Sequence, residues 1–269
     1  MTQTTPFIAV GGFDSVEGSA DPDAFVTWMS QQRRFGHDSG IAALDLSPTD
    51  TVLDLGCGPG ADSKVLREHT EHVIGLDLSA SMVRKASTDI ADASFVVADG
   101  QALPFADNTF DAVWIRLVLL HTPRPAVTMR EIFRTLKPAG RVVFTEPDHG
   151  SHLVATPHSE IFERIKAHRR TTFRHPLIGR TLPQLAIDAG FTVTKSWINP
   201  FQFRSFSIAR SAGGPFDVAT ADAIAAGAIT ADEGAAYLAS LEQLDAQGAF
   251  CFIALSVSVT AIRSANSHQ

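Results

Sequence analysis

Cysteine is scarce in this chain: 269 residues hold two, Cys57 in a glycine-rich turn and Cys251 in an apolar run near the C-terminus. Two thiols so far apart make no disulfide framework, and neither has Cys or His neighbours at metal-ligand spacing. Dense basic runs are missing too. Lys and Arg number 22 against 29 Asp and Glu, a net charge of −7. That balance argues against duplex nucleic acid and anionic membrane as main partners, since both reward clustered positive charge. No apolar run approaches the ~20 residues that span a bilayer. The opening MTQTTPFIAVGGFDS has neither the basic start nor the continuous apolar stretch of a signal peptide. These absences lead us to expect a reduced, cytoplasmic protein. At 45% hydrophobic and 19% charged, the composition suits a globular chain long enough for one large domain with an insertion or a small cap.

What is present is organised around residues 51–79. Val52-Leu53-Asp54-Leu55 is a short apolar run holding a carboxylate and reads as a buried strand. Gly56-Cys57-Gly58-Pro59-Gly60 turns the chain tightly into a helical segment. A second apolar run, Val73-Ile74-Gly75-Leu76, ends in Asp77. Such a unit turns backbone N–H groups and a helix N-terminus toward a ligand, and the far carboxylate can accept ribose hydroxyls. Gly56, Gly58 and Ala61 also satisfy the dinucleotide fingerprint, with Asp77 nineteen residues beyond Gly58. A nicotinamide cofactor is therefore open on the turn alone. Asp54 argues against it, because a carboxylate two residues before the first glycine would repel a pyrophosphate and favour a ligand carrying an ammonium group.

Strands and helices alternate onward from there. Ser79 is placed to cap a helix over 80–91, and Phe95–Ala98 forms a third strand stopping at Asp99-Gly100. Phe110–Ile115 is a near-continuous apolar run of the kind found in parallel strands covered on both faces. A helix over 126–136 stops at Lys137-Pro138-Ala139-Gly140, and Arg141–Thr145 is a fifth strand running into Glu146. This pattern predicts an α/β doubly wound, mostly parallel sheet. Three regions are expected: residues 1–39 as a helical lid segment, 40–150 as the cofactor-binding core, and 151–269 as a substrate-side half. In the last, residues 199–248 read as a helical cap inserted before a final strand, Phe250–Ile262. The lid would present Gln31, Arg33 or Arg34 to a ligand.

Five motifs carry a family resemblance. Leu53-Asp54-Leu55-Gly56-Cys57-Gly58-Pro59-Gly60, Gly75-Leu76-Asp77-Leu78-Ser79, Ala98-Asp99-Gly100-Gln101-Ala102-Leu103-Pro104-Phe105, Phe110-Asp111-Ala112-Val113 and Leu136-Lys137-Pro138-Ala139-Gly140-Arg141 stand in a fixed order. Together they resemble the class I S-adenosylmethionine-dependent methyltransferases of the small-molecule and quinone-biosynthesis type. The resemblance implies a seven-stranded sheet with one antiparallel strand and S-adenosyl-L-methionine as cofactor. It implies that Gly56, Gly58 and Gly60, with Cys57 between them, let backbone approach the cofactor closely. Asp54 would hold the methionine ammonium. Asp77, followed by Leu78, would accept the ribose hydroxyls, and Met82 would pack on the adenine. Asp99 would take the adenine amino group beside Gly100 and Gln101, and Arg116 would contact the cofactor after the fourth strand.

The reaction so implied is methyl transfer to O, N or C of a small, partly apolar molecule. O-methylation is favoured because His121 follows the fourth strand at the sheet's carboxyl edge, where it could serve as general base. Glu146, ending the fifth strand, is the second catalytic candidate and would orient His121 or bind substrate. A methyltransferase-fold protein that binds the cofactor without transferring methyl, and an NAD-dependent oxidoreductase, are the alternatives. The His- and Arg-rich stretch (His158, Glu163, His168, Arg169, Arg170) with His149, His152 and His175 has no metal-ligand spacing and reads as a solvated helix face with a few pocket groups. Phe201, Phe203, Phe206, Phe216 and Tyr237 suggest an apolar cap. The oligomeric state stays open.

Overall fold

The computed structural model describes residues 37–211 and 216–264; the expected lid helix, with Gln31, Arg33 and Arg34, lies outside them. The elements run α1 (His37–Ala43), β1 (Thr51–Leu55), α2 (Ala61–Leu66), β2 (His72–Asp77), α3 (Ala80–Asp89), β3 (Ser94–Val97), β4 (Phe110–Arg116), α4 (Pro125–Thr135), β5 (Leu136–Pro147), β6 (Leu153–Val154), α5 (Ser159–Thr171), a 3-10 turn at Ile178–Thr181, α6 (Leu182–Asp188), β7 (Thr192–Phe203), α7 (Phe206–Ser211), α8 (Asp217–Ala225), α9 (Ala231–Ala246) and β8 (Phe252–Ile262). One sheet joins the strands in the order β3-β2-β1-β4-β5-β8. β7 lies along the far edge of β8, and the two-residue β6 continues the β5 side of it. The first five strands pair in parallel, while β8 runs antiparallel to β5, β6 and β7.

Apolar runs dictate this arrangement. Leu53, Val113, Ile115, Val142 and Phe144 are buried in the central strands, and helices cover both faces. Ser79 caps α3 through Met82 N–H, and Thr230 forms a capping box with Glu233 at the start of α9. Because parallel strands enter the sheet in the same direction, their carboxyl ends gather along one edge. The switch in strand order between β1 and β4 opens a crevice there.

One expectation about the second half needs correction. Residues 199–203, expected to open the helical cap, are strand: β7 runs through Pro200 to Phe203, paired with β8, and α7 begins at Phe206. Residues 199–203 and 206–211 are therefore regular structure. The expected mostly parallel sheet is present, seven strands joined by the two-residue β6. A second apolar core joins α5, the helices of 206–246 and the start of β8. Phe162 and Ile165 of α5 meet Phe206, Phe216 and Tyr237, with Phe252 from β8.

Candidate active site

The turn after β1 is built by its own backbone. Gly56 and Cys57 donate to the Leu76 carbonyl at 2.7 and 3.0 Å, and Gly58 donates to Asp77 Oδ2 at 2.8 Å. Gly56, Gly58 and Gly60 have φ of 76°, 51° and 89°, the left-handed region that a side chain strains. Room is short as well. A Cβ on Gly56 would come within 2.2 Å of Val118 Cγ2, and one on Gly60 within 2.7 Å of Ile90 Cδ1. At these two positions the protein's own side chains fill the space. Cys57 is buried, and burial pushes its thiol far above the ordinary range.

Asp77 anchors the far side. Its Oδ2 accepts from Gly58 N and its Oδ1 from Ser79 N, each at 2.8 Å. Burial raises its carboxyl, although those backbone donors pull the other way. Next to it, Leu78 is 53% exposed, and Val97 at the end of β3 is 50% exposed. Two large apolar side chains left open beside a buried acid suit a flat heterocycle. Asp99 lies exposed just beyond and accepts from the backbone and side chain of Gln101. Gln101 in turn accepts from Arg124. Gly100 fits against Leu55, 3.3 Å from where its Cβ would stand. Met82, expected on the adenine, is fully buried in α3; Leu78 and Val97 offer the apolar surface instead.

Asp54 and Asp62 form the acidic end of the crevice. Asp54 is buried and accepts a 2.5 Å hydrogen bond from the Ser63 hydroxyl. Burial first, and then the nearby Asp62, hold its carboxyl well above the usual range. An ammonium ligand would relieve both effects, so this position fits the expected cation. Asp62, which sequence reasoning passed over, is a buried hub. It accepts from Arg116 Nε and Nη2 and from Trp114 Nε1, all at 2.8 Å, and His37 Nε2 lies 3.4 Å away. Burial opposes its ionisation, yet the Arg116 charge and its hydrogen bonds prevail and hold the carboxyl below the ordinary value. Arg116 was expected to touch the cofactor. It is buried, and its fork is closed on Asp62.

The second side of the crevice is the turn at residues 117–121, where Leu117 has φ 60°. Glu146 explains it. Its Oε1 accepts from Val118 N at 2.9 Å and Leu119 N at 2.6 Å, and its Oε2 from Leu120 N at 3.4 Å. The residue has no exposed surface, and burial raises its carboxyl to about 7. Glu146, expected to bind substrate or orient His121, accepts from the backbone of the turn that carries His121. His121 lies on that turn with its ring 6.0 Å from Phe173. Burial, and then Arg174, push its imidazole down to about 4.

Beyond Phe173 is a cluster that sequence reading placed on a solvated face. His149 stacks on Phe173 at 4.1 Å, His152 lies 5.3 Å from His149, and the Arg169 guanidinium lies 5.5 Å over Phe173. Lys166 and Arg169 of α5 are both buried. The signal for this was available: Phe162, Ile165 and Arg169 fall on one helix face at spacings of three and four.

Comparison with known proteins bears on this geometry. Residues 53–144 match a family model described as "Methyltransferase domain". A demethylmenaquinone methyltransferase from Beutenbergia cavernae is 31% identical over 172 residues, covering 64% of this chain and 68% of that protein. A malonyl-[acyl-carrier protein] O-methyltransferase from Pseudescherichia vulneris is 36% identical over 122 residues, covering 45% and 49%. For several such relatives the chain spans only about half of their length, 46% to 57%. Among solved structures, an S-adenosylmethionine-dependent methyltransferase from Mesorhizobium loti aligns with a TM-score of 0.53 at 19% identity, covering 85% of this chain and 97% of that one. The [4+2]-cyclase SpnF aligns with a TM-score of 0.55 at 21% identity, covering 97% and 89%. At these identities the structural likenesses show the fold.

Proposed function

From the premise that the chain belongs to the S-adenosylmethionine-dependent methyltransferase family, we propose that it transfers a methyl group from S-adenosyl-L-methionine to an oxygen of a small, partly apolar molecule. The observation that carries this reading is the set of three acids around one glycine turn, Asp54, Asp77 and Asp99, with Leu78 and Val97 open between the latter two. Asp54, held protonated-leaning by burial, would receive the amino-acid ammonium. Asp77 would accept the ribose hydroxyls, and Asp99 with Gln101 would meet the adenine edge against Leu78 and Val97. When bound, the cofactor supplies an electrophilic methyl on a sulfonium.

The chain's part is positioning. Holding a nucleophile in line and excluding water supplies most of the rate in such a displacement. Val118, packed against the Gly56 position, ties the glycine turn to the turn that carries His121. His121 is neutral above about pH 4 and can accept a hydrogen bond, or a proton, from a hydroxyl nucleophile. Cofactor binding without methyl transfer is the second reading, because the [4+2]-cyclase shares this fold.

Titration calorimetry with S-adenosylmethionine, its demethylated product and NAD tests the cofactor. Binding of NAD with neither of the others would overturn the proposal. Incubation of extracted small molecules with methyl-labelled cofactor tests the chemistry. Label moving into an extractable product supports transfer, whereas bound cofactor that never loses its methyl favours the second reading.

A further inference from the structure

Arg169 and His152 are 8% and 7% exposed, a degree of burial that a guanidinium and an imidazole accept only with hydrogen-bond partners. Several nitrogens here lack one. Arg169 Nε, His152 Nδ1 and both ring nitrogens of His149 are shielded from solvent and make no hydrogen bond. Aromatic contacts hold the three together. His149 stacks on Phe173, His152 is edge-on to His149, and Arg169 lies over Phe173. Phe252 closes the far side of His152 at 5.4 Å.

The surrounding charges do not satisfy this group. Asp148 is taken by Arg180, at 2.7 and 2.8 Å, and by Gly150 N. Asp222 on α8 acts on Arg169 through space alone. Lys166 reaches the His152 carbonyl and pairs with Glu163, and Arg174 bears on His121. Burial, and then the neighbouring basic groups, push both imidazoles far down, His152 to about 3. Each is therefore neutral, with one N–H to donate. A metal is a poor occupant. No third His, Cys, Asp or Glu joins the pair at ligand distance among the described residues, and the Arg169 charge would repel a cation.

We infer that the acceptor is an organic acid, a carboxylate on an apolar body, whose anionic oxygens are received by Arg169 with His149 and His152. The group lies where an acceptor would need it. His121 is 6.0 Å from the same Phe173 ring, and through Val118 that turn meets the glycine turn. An anion there converts the orphaned donors into charge-assisted hydrogen bonds, and the partly buried Phe173 ring, in contact with His149 and Arg169, gives the apolar body a neighbour. The inference rests on the proposed methyl transfer only for the name "acceptor"; anion binding is measured without cofactor.

Benzoate and benzamide, nearly equal in shape and differing in charge, are the probes, titrated into wild type and Arg169→Met by calorimetry. Benzoate is expected to bind wild type at least about tenfold tighter than benzamide, and Arg169→Met to reduce that preference to about twofold or less. Affinity of the variant for S-adenosylhomocysteine should be unchanged, which also shows that it folds. Equal binding of the two probes, a preference surviving in Arg169→Met, or no benzoate binding by ~10 mM overturns the inference. If the variant does not fold, imidazole NMR of wild type decides. Ring signals of His149 and His152 that move with benzoate support the site, and signals that stay still refute it. Failure of S-adenosylhomocysteine to bind wild type would instead overturn the cofactor reading.

Discussion

Replacing Glu146 with Gln separates the two roles open to this residue. The carboxyl is fully buried and accepts from Val118, Leu119 and Leu120. The Gln amide oxygen can still accept from the first two, so the turn should survive. What changes is the charge. In the folded chain Glu146 is raised from 4.5 to about 7 by burial, whereas unfolded it titrates at its ordinary value. A raised acid gives its stabilisation in full below about 4.5 and loses it as pH climbs through 7. At ~1.4 kcal/mol per tenfold, that loss amounts to about 3 kcal/mol. The glutamine chain has no such loss, so the stability of Glu146→Gln relative to wild type should rise by about 3 kcal/mol between pH 4.5 and 8. For a chain of this size that corresponds to roughly 6–12 °C in the difference between melting temperatures. Urea unfolding and thermal melts of both proteins at five pH values across this range measure it. Parallel stability curves would refute the buried-acid reasoning. Separately, a variant with intact fold and cofactor affinity but no methyl transfer would return Glu146 to the catalytic set.

Three further perturbations follow from the same geometry. Gly56→Ala forces a side chain into φ 76° and against Val118, so it should lose roughly 2–4 kcal/mol by denaturant unfolding. Adding Val118→Ala should recover the packing share and leave about 1 kcal/mol; no recovery in the double variant would show that Val118 is not the obstacle. Asp62→Asn leaves Arg116 buried without its carboxylate and should destabilise by about 3–5 kcal/mol, with Arg116→Met in the same chain restoring part of that. Simple additivity of the two would mean that the pair is not coupled. For His121, the imidazole held near 4 predicts no activity limb between pH 6 and 7, and His121→Ala should lower turnover while cofactor affinity stays put. A limb near 6.5, or turnover unchanged in the variant, would remove His121 from the base role.

How far the site could be read from sequence depended on how local each determinant is. The glycine turn, Asp54 and Asp77 fall within 24 residues, and the strand that carries each acid also ends there, so pattern alone located them. Asp99 was legible for a similar reason, standing two residues past the end of β3. The continuation of β7 through residues 199–203 was not read from the sequence, and Pro200 stands within it. β7 pairs only with β8, so an edge strand can seat Pro200 with its missing N–H turned away from the ladder. Glu146 was legible only in part. Its place at the end of β5 is where catalytic acids stand, and only the fold shows that backbone N–H groups 26–28 residues away occupy it. Asp62 and Arg116 are 54 residues apart and neither lies in a motif that announces the other.

The basic cluster shows the same limit and its physical cause. Arg169, Lys166 and their neighbours have the charge density of a solvated face, and in isolation that helix would present them to water. Phe173, placed by the turn after α5, instead lies between His149 and Arg169, and α8 packs across the helix. Burying Arg169 Nε and the His149 ring nitrogens without hydrogen bonds is unfavourable for folding alone, a cost that a bound anion would offset. The half of the chain with no recognisable motif thus holds the more specific statement about ligand chemistry. The glycine turn defines a cofactor class shared by a whole family, whereas unpaired donors under the cap discriminate by charge. That asymmetry follows from the two tasks: a common cofactor can be met by local backbone geometry, but a particular acceptor must be met by side chains that only the finished fold brings together.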